Sequence, residues 1–250
     1  MIEKDRVEKL QEVKMKSRLT GLDKTCRYLN SYFFYIFIKN KKKLKINYSF
    51  CSQIDLEKFL SVYIENYFFS SKNEDDIESE EINIISKSLK VLIDSIDSKI
   101  FCLIEYPYTD KLYRDAYSRY FSTLNRQYGR DCIRVSLFSE EIKTDDSSRL
   151  ILPKNDTFLG YFIVRPTFPA SYSRSFLNPN VFAKTNFISC LSNSTALIEG
   201  VEYNTDGFPH ASQDGIVHSC SETAIWVLME YFGAKYEYYG TTLPSAIHKV

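Results

Sequence analysis

The stretch FLGYFIVRP, residues 158–166, decides the fold class. It is a short apolar run, rich in aromatic and β-branched residues, and the sequence predicts a strand there. Pro166 ends it, because proline has no amide hydrogen to give to a ladder. Working outward, CIRVSLF (132–138) and IFCLIEY (100–106) read as strands of the same kind. Between these two a helix is expected to start at Thr109 or Asp110, either of which can cap it. Tyr113, Tyr117 and Tyr120 then fall on one face, and that stripe reads as core packing. DDSSR (145–149) reads as a loop, 167–193 as irregular around Pro169 and Pro179, and STALIEGVEY (194–203) as one further strand.

Upstream, residues 2–18 alternate charge at helical spacing and read as an exposed helix. SYFFYIFIK (31–39) and LKINYSF (44–50) flank NKKK and suggest a β-hairpin with a solvated turn. Residues 53–69 read as an amphipathic helix beginning near Gln53 or Asp55, NEDDIESEE (73–81) as a surface loop, and 82–97 as another helix. The fold class that follows is α+β: a mixed or antiparallel sheet with covering helices. Three regions are expected: an N-terminal α+β region (1–98), a central sheet region (99–204) and a C-terminal segment (205–250).

Composition narrows the function. The 250 residues are 44% hydrophobic, enough for a sizeable core. Lys and Arg number 32 against 32 Asp and Glu, so no basic excess points to nucleic acid or an anionic membrane surface. The six cysteines (26, 51, 102, 132, 190 and 220) form no CxxC, and only three His accompany them, which argues against a zinc site. Neither a glycine-rich phosphate loop nor a ligand cluster implies a cofactor. The charged N-terminus has no apolar core like that of a secretory signal, and no apolar run of eighteen residues suggests a membrane span. A cytoplasmic protein with reduced thiols is expected.

Turn-forming residues gather late in the chain, around GFPHASQDGIVHSCSETAIWVLMEYFG (207–233). Ser219 and Glu222 match a capping box, in which the serine bonds an unpaired helix amide and the glutamate reaches back. Cys220 is then the first helical residue, where unpaired amides and the helix dipole favour a thiolate, the nucleophilic form. Glu222, two residues on, opposes that charge unless the cap turns it aside. Ala224, Leu228 and Tyr231, with Ile225 and Phe232, suggest one packed face, and Gly233 a helix end. Gln213 lies seven residues before Cys220 with Gly215 between, so the loop can aim its amide at an acyl oxyanion. The Cys220 amide would be the second donor. His210 and His218 are close in sequence, but both read as polar loop residues.

Gln213, Cys220 followed by the small Ser221, and an apolar helix through Trp226 resemble the papain-like cysteine peptidase superfamily. The continuation Tyr231-Phe232-Gly233, the loop AKYEYYG and the helix start TTLPSAIHKV are similar to its bacterial members, such as the leader peptidases fused to bacteriocin-exporting transporters. The resemblance covers roughly residues 205–250. It implies that Cys220 is the nucleophile and Gln213 the oxyanion residue, acting on a peptide or protein substrate. The family's His, and the Asn or Asp that orients it, come further downstream than Val250. His248 lies 28 residues after Cys220 on an expected helix and does not take that role. The segment therefore reads as an incomplete papain-like domain, truncated before the catalytic His.

Two functions compete. One is a cysteine-dependent hydrolase that cleaves a peptide or acyl bond through a thioester on Cys220. The other is a non-catalytic binding or regulatory module carrying a degenerate or truncated peptidase-like half. A third reading, an anion site built from Arg134 and Arg165, rests on their positions in or at the end of strands.

Overall fold

The computed structural model describes residues 47–68, 85–125, 128–144, 150–184, 190–213, 220–236, 238–240 and 242–247. The chain divides into two units, residues 1–45 and 46–250, and all described residues belong to the second. The expected helix at 2–18, the strand at 31–39 and the loops at 73–81 and 145–149 lie outside the described residues.

A seven-stranded antiparallel sheet organises the second unit. Its strands are β1 (Asn47–Ser52), β2 (Phe101–Tyr108), β3 (Cys132–Phe138), β6 (Phe158–Arg165), β7 (Ser171–Leu177), β8 (Ser192–Ile198) and β9 (Val201–His210). The spatial order is β1-β2-β3-β6-β7-β9-β8. Two short strands, β4 (Lys143–Thr144) and β5 (Leu150–Ile151), pair separately. The helices are α1 (Gln53–Phe68), α2 (Lys87–Ser95), α3 (Lys111–Arg119), α4 (Cys220–Lys235) and the one-turn α5 (Pro244–Ile247). The α+β class and the antiparallel sheet are as the sequence predicts. The sheet draws strands from all three of the regions read from the sequence.

Register assigns the faces. Leu103, Ser136, Tyr161, Phe176 and Pro209 lie side by side across one face. Ile104, Val135, Phe162, Ser175 and His210 do the same across the other. Every residue of β3 and of β6 is buried. Their apolar runs do not alternate because both faces of the central strands are covered. On the first face, Leu103, Tyr161 and Phe176 form one core with Tyr113 and Ala116 of α3 and with Ala196, Ile198 and Tyr203 of the β8–β9 hairpin. Asp110 caps α3, accepting from the Tyr113 amide at 3.0 Å, as expected for that position. Tyr113 is fully buried and Tyr117 packs at the edge of this core, but Tyr120 is the C-cap of α3.

The hairpin folds back over the sheet. Arg134 Nη2 donates to Leu197 O at 2.7 Å, Tyr203 Oη donates to Pro153 O at 2.8 Å, and the Asn204 amide donates to Asn155 Oδ1 at 2.9 Å. Arg134 also donates through Nε and Nη2 to the Glu105 carboxylate, and its guanidinium lies 4.6 Å from the centre of the Tyr108 ring. Both charged side chains are buried, at 5% and 3% exposure. Desolvation pushes the Glu105 carboxyl up from its ordinary value, and the attraction of Arg134 offsets part of that.

Two expectations are corrected. The region 167–193, read as irregular, contains β7, a fully formed central strand. Its sequence SYSRSFL hides it, because Ser171, Ser173 and Ser175 are buried, each with a hydrogen-bond partner. The single strand expected at 194–203 is instead two strands joined at Glu199 and Gly200, which adopt φ of 50° and 81°. Glutamate is an unusual residue for a left-handed turn position, so the turn is hard to read from sequence. Gly160 is a structural requirement of β6. Its φ is +116°, and a Cβ there would lie 2.1 Å from Phe176 O.

Glu105→Ala strands a buried guanidinium and is expected to cost about 3–5 kcal/mol of stability. The double change to Glu105→Leu with Arg134→Met recovers most of that loss, as read by urea denaturation midpoints.

Candidate functional site

The site is built outward from the end of β9. His210 closes that strand, opposite Ser175 of β7. Ser175 Oγ donates to His210 O at 2.8 Å and stands 3.1 Å from Nδ1, while Tyr172 Oη stands 2.9 Å from Nε2. With its only proton on the carbonyl, Ser175 accepts from Nδ1–H, so Nε2 accepts from the tyrosine. Both ring nitrogens are thereby used in joining β9 to β7, and desolvation lowers the pKa of His210 from the ordinary histidine value.

The next residues are held by a buried arginine. Arg165, at the end of β6, is 1% exposed. Its Nε donates to Ser171 Oγ at 2.8 Å, and its Nη2 donates to Tyr172 O at 3.2 Å and to Ser212 O. Ser212 itself donates to Tyr172 O through its amide at 3.2 Å and its hydroxyl at 2.6 Å. Gln213 follows directly and is exposed. Residues 214–219 lie outside the described residues, so the capping serine at 219 and His218 do too, as does His248. The helix α4 opens at Cys220.

The buried face of α4 differs from the expected one. Ala224, Ile225, Leu228 and Phe232 are exposed, and Tyr231 is half-buried against the Phe208 ring at 5.8 Å. Among the described side chains of α4 the buried ones are Glu222, Trp226 and Glu230, four apart along one stripe. The reason is the partner this stripe meets. Glu230 reaches Arg174 of β7 at 2.6 Å, so the carboxylate enters the interior paired. Trp226 and Glu222 line a shallow cleft with Leu112, Arg165, Ala211, Ser212, Thr223 and Pro244. Gly233 does not end the helix, which continues to Lys235. A Cβ on Gly233 would come within 3.2 Å of Tyr239 O, so this glycine lets the following loop lie against α4.

The structure thus brings the residue before Gln213 and the first two turns of the Cys220 helix to one cleft. It does not bring Arg134 and Arg165 together as an anion site, because each is committed to internal partners. Ser212 and Tyr172 were not legible as site residues, and Arg165 stood out only as half of an anion site with Arg134. The one signal for them was Arg165 standing in an otherwise apolar strand. Among the described residues no group of three His, Cys, Asp or Glu could hold a metal ion, and no helix is long and apolar enough to cross a membrane. No family model, curated protein or solved structure matches this chain.

The lowered pKa of His210 has a definite sign. The folded state favours the neutral ring, so the unfolded chain binds the extra proton first as pH falls. Stability from this group is complete above about pH 6.5 and is lost as pH falls from there through the lowered folded value. Denaturation midpoints should decline across that window in the parent protein and stay flatter in His210→Gln. Equal slopes in the two proteins would refute the assignment.

Proposed function

We propose that this chain is a cysteine-dependent hydrolase, papain-like in its Cys helix, acting on a peptide or acyl bond. Cys220 attacks the carbonyl carbon, the amine leaves with a proton, and water cleaves the resulting thioester. Gln213 and the Cys220 amide donate to the oxyanion. The observation that supports the reading is that α4 begins at Cys220, with Gln213 one residue beyond an arm pinned by Arg165. A helix start supplies unpaired amides and a favourable dipole for an anion. His210 is left out of the proton transfer because both its nitrogens join β9 to β7.

Among the six cysteines, Cys220 is expected to react fastest with iodoacetamide or a peptidyl vinyl sulfone at neutral pH, and Cys220→Ala to abolish that fast phase. With p-nitrophenyl acetate as substrate, Gln213→Ala is expected to slow acylation about 10²–10³-fold, the usual effect of losing an oxyanion donor. Labelling of Cys220 no faster than that of the exposed Cys190 would overturn the hydrolase. It would leave the binding or regulatory module as the better account.

A further inference from the structure

Cys51 and Cys102 are directly opposed across β1 and β2. Both are buried, at 2% and 0% exposure, and both are free thiols. Residues directly opposed in an antiparallel pair have Cα atoms about 4.5 or 5.5 Å apart, according to the ladder site. A disulfide accepts Cα separations of about 4.4–6.8 Å, so either site meets its geometric requirement without moving the strands. The other buried cysteine among the described residues, Cys132, sits opposite Tyr108 and has no thiol across from it.

We propose that Cys51 and Cys102 form a reversible dithiol–disulfide site that exchanges with small disulfides of the glutathione class. This is independent of the role proposed for Cys220. Among the described strands β1 lies at the end of the sheet order, so opening β1 exposes Cys51 without breaking the central ladder. The Cys51 thiolate attacks one sulfur of glutathione disulfide, and a glutathione thiolate leaves. Cys102, as thiolate, then attacks the Cys51 sulfur of the mixed disulfide and releases the second glutathione. The protein loses two electrons and two protons, and the glutathione disulfide gains both as two thiols. The neighbouring Cys51 thiol and burial hold the Cys102 thiol well above its ordinary value, so the closed sheet slows exchange and reaction follows strand opening.

The consequence is mechanical. The helix α1 begins at Gln53, next to the strand that the bond would staple. Oxidation therefore ties β1 and the start of α1 to the sheet.

The test is incubation of the folded full chain with excess glutathione disulfide, followed by denaturation, alkylation and peptide mapping. The expected result is a Cys51–Cys102 linked peptide, two fewer alkylated thiols, and a higher melting temperature that dithiothreitol reverses. Cys51→Ala, run in parallel, should show no such linkage and no rise in melting temperature. The pair staying alkylatable both in the folded protein and after refolding from urea in the same buffer would overturn the proposal. Linkage only after refolding would equally overturn it, since exchange through the opening of β1 is part of the claim.

Discussion

Arg165 carries the arrangement on which the candidate site rests. It is among the largest side chains that are fully buried. A guanidinium in that position costs far more than an apolar side chain unless its donors are met. They are met by Ser171 Oγ and by the carbonyls of Tyr172 and Ser212. The acceptors belong to two different chain segments, the start of β7 and the exit from β9. Hydrogen bonds to a charged donor are worth about 1.5–3 kcal/mol each, and an unmet one costs at least as much. The segments therefore cannot separate without stranding the charge. That fixes where the backbone leaves the sheet on its way to Gln213 and Cys220.

The same logic recurs along β7, which acts as a polar spine inside an apolar core. Ser171 meets Arg165, and Ser173 donates to Asp110 at 2.6 Å. Asp110 in turn caps α3, so one carboxylate joins a helix start to a central strand. Arg174 meets Glu230 of α4, and Ser175 meets His210 of β9. Successive residues of one strand thus each select a different neighbour. Apolar contacts alone would tolerate small slips of α4 over the sheet, whereas a buried carboxylate tolerates only the position that reaches its arginine. The α5 turn is placed in the same way: the Ser245 amide donates to Asp115 of α3 at 2.9 Å.

How much of this was legible follows from what pattern reading counts. The runs at 100–106, 132–138 and 158–166 announce β2, β3 and β6 because their burial is apolar. The Asp110 cap and the helix start at Cys220 announce themselves through local chemistry. What escaped was the burial of polar residues through distant partners. β7 looks irregular because three of its seven residues are serines, and no local rule says that Asp110, Arg165 and His210 await them. On α4 the sequence offers an apolar stripe through Ile225, Leu228 and Phe232. The structure buries Trp226 between Glu222 and Glu230 instead, since Arg174 on β7 makes the second carboxylate welcome inside.

That inversion bears on the chemistry at the helix start. A helix terminus stabilises an adjacent anion by about 0.3–1 kcal/mol when exposed and up to about 2 kcal/mol when partly buried. Since one pKa unit is 1.36 kcal/mol, the dipole alone favours a thiolate by about one unit at most in ordinary exposed positions. A carboxylate two residues along would cancel much of that if it stood alone. Glu222 lines the same cleft as Arg165. The arginine that sets the exit of β9 therefore also lines the cleft that the first turn of α4 borders.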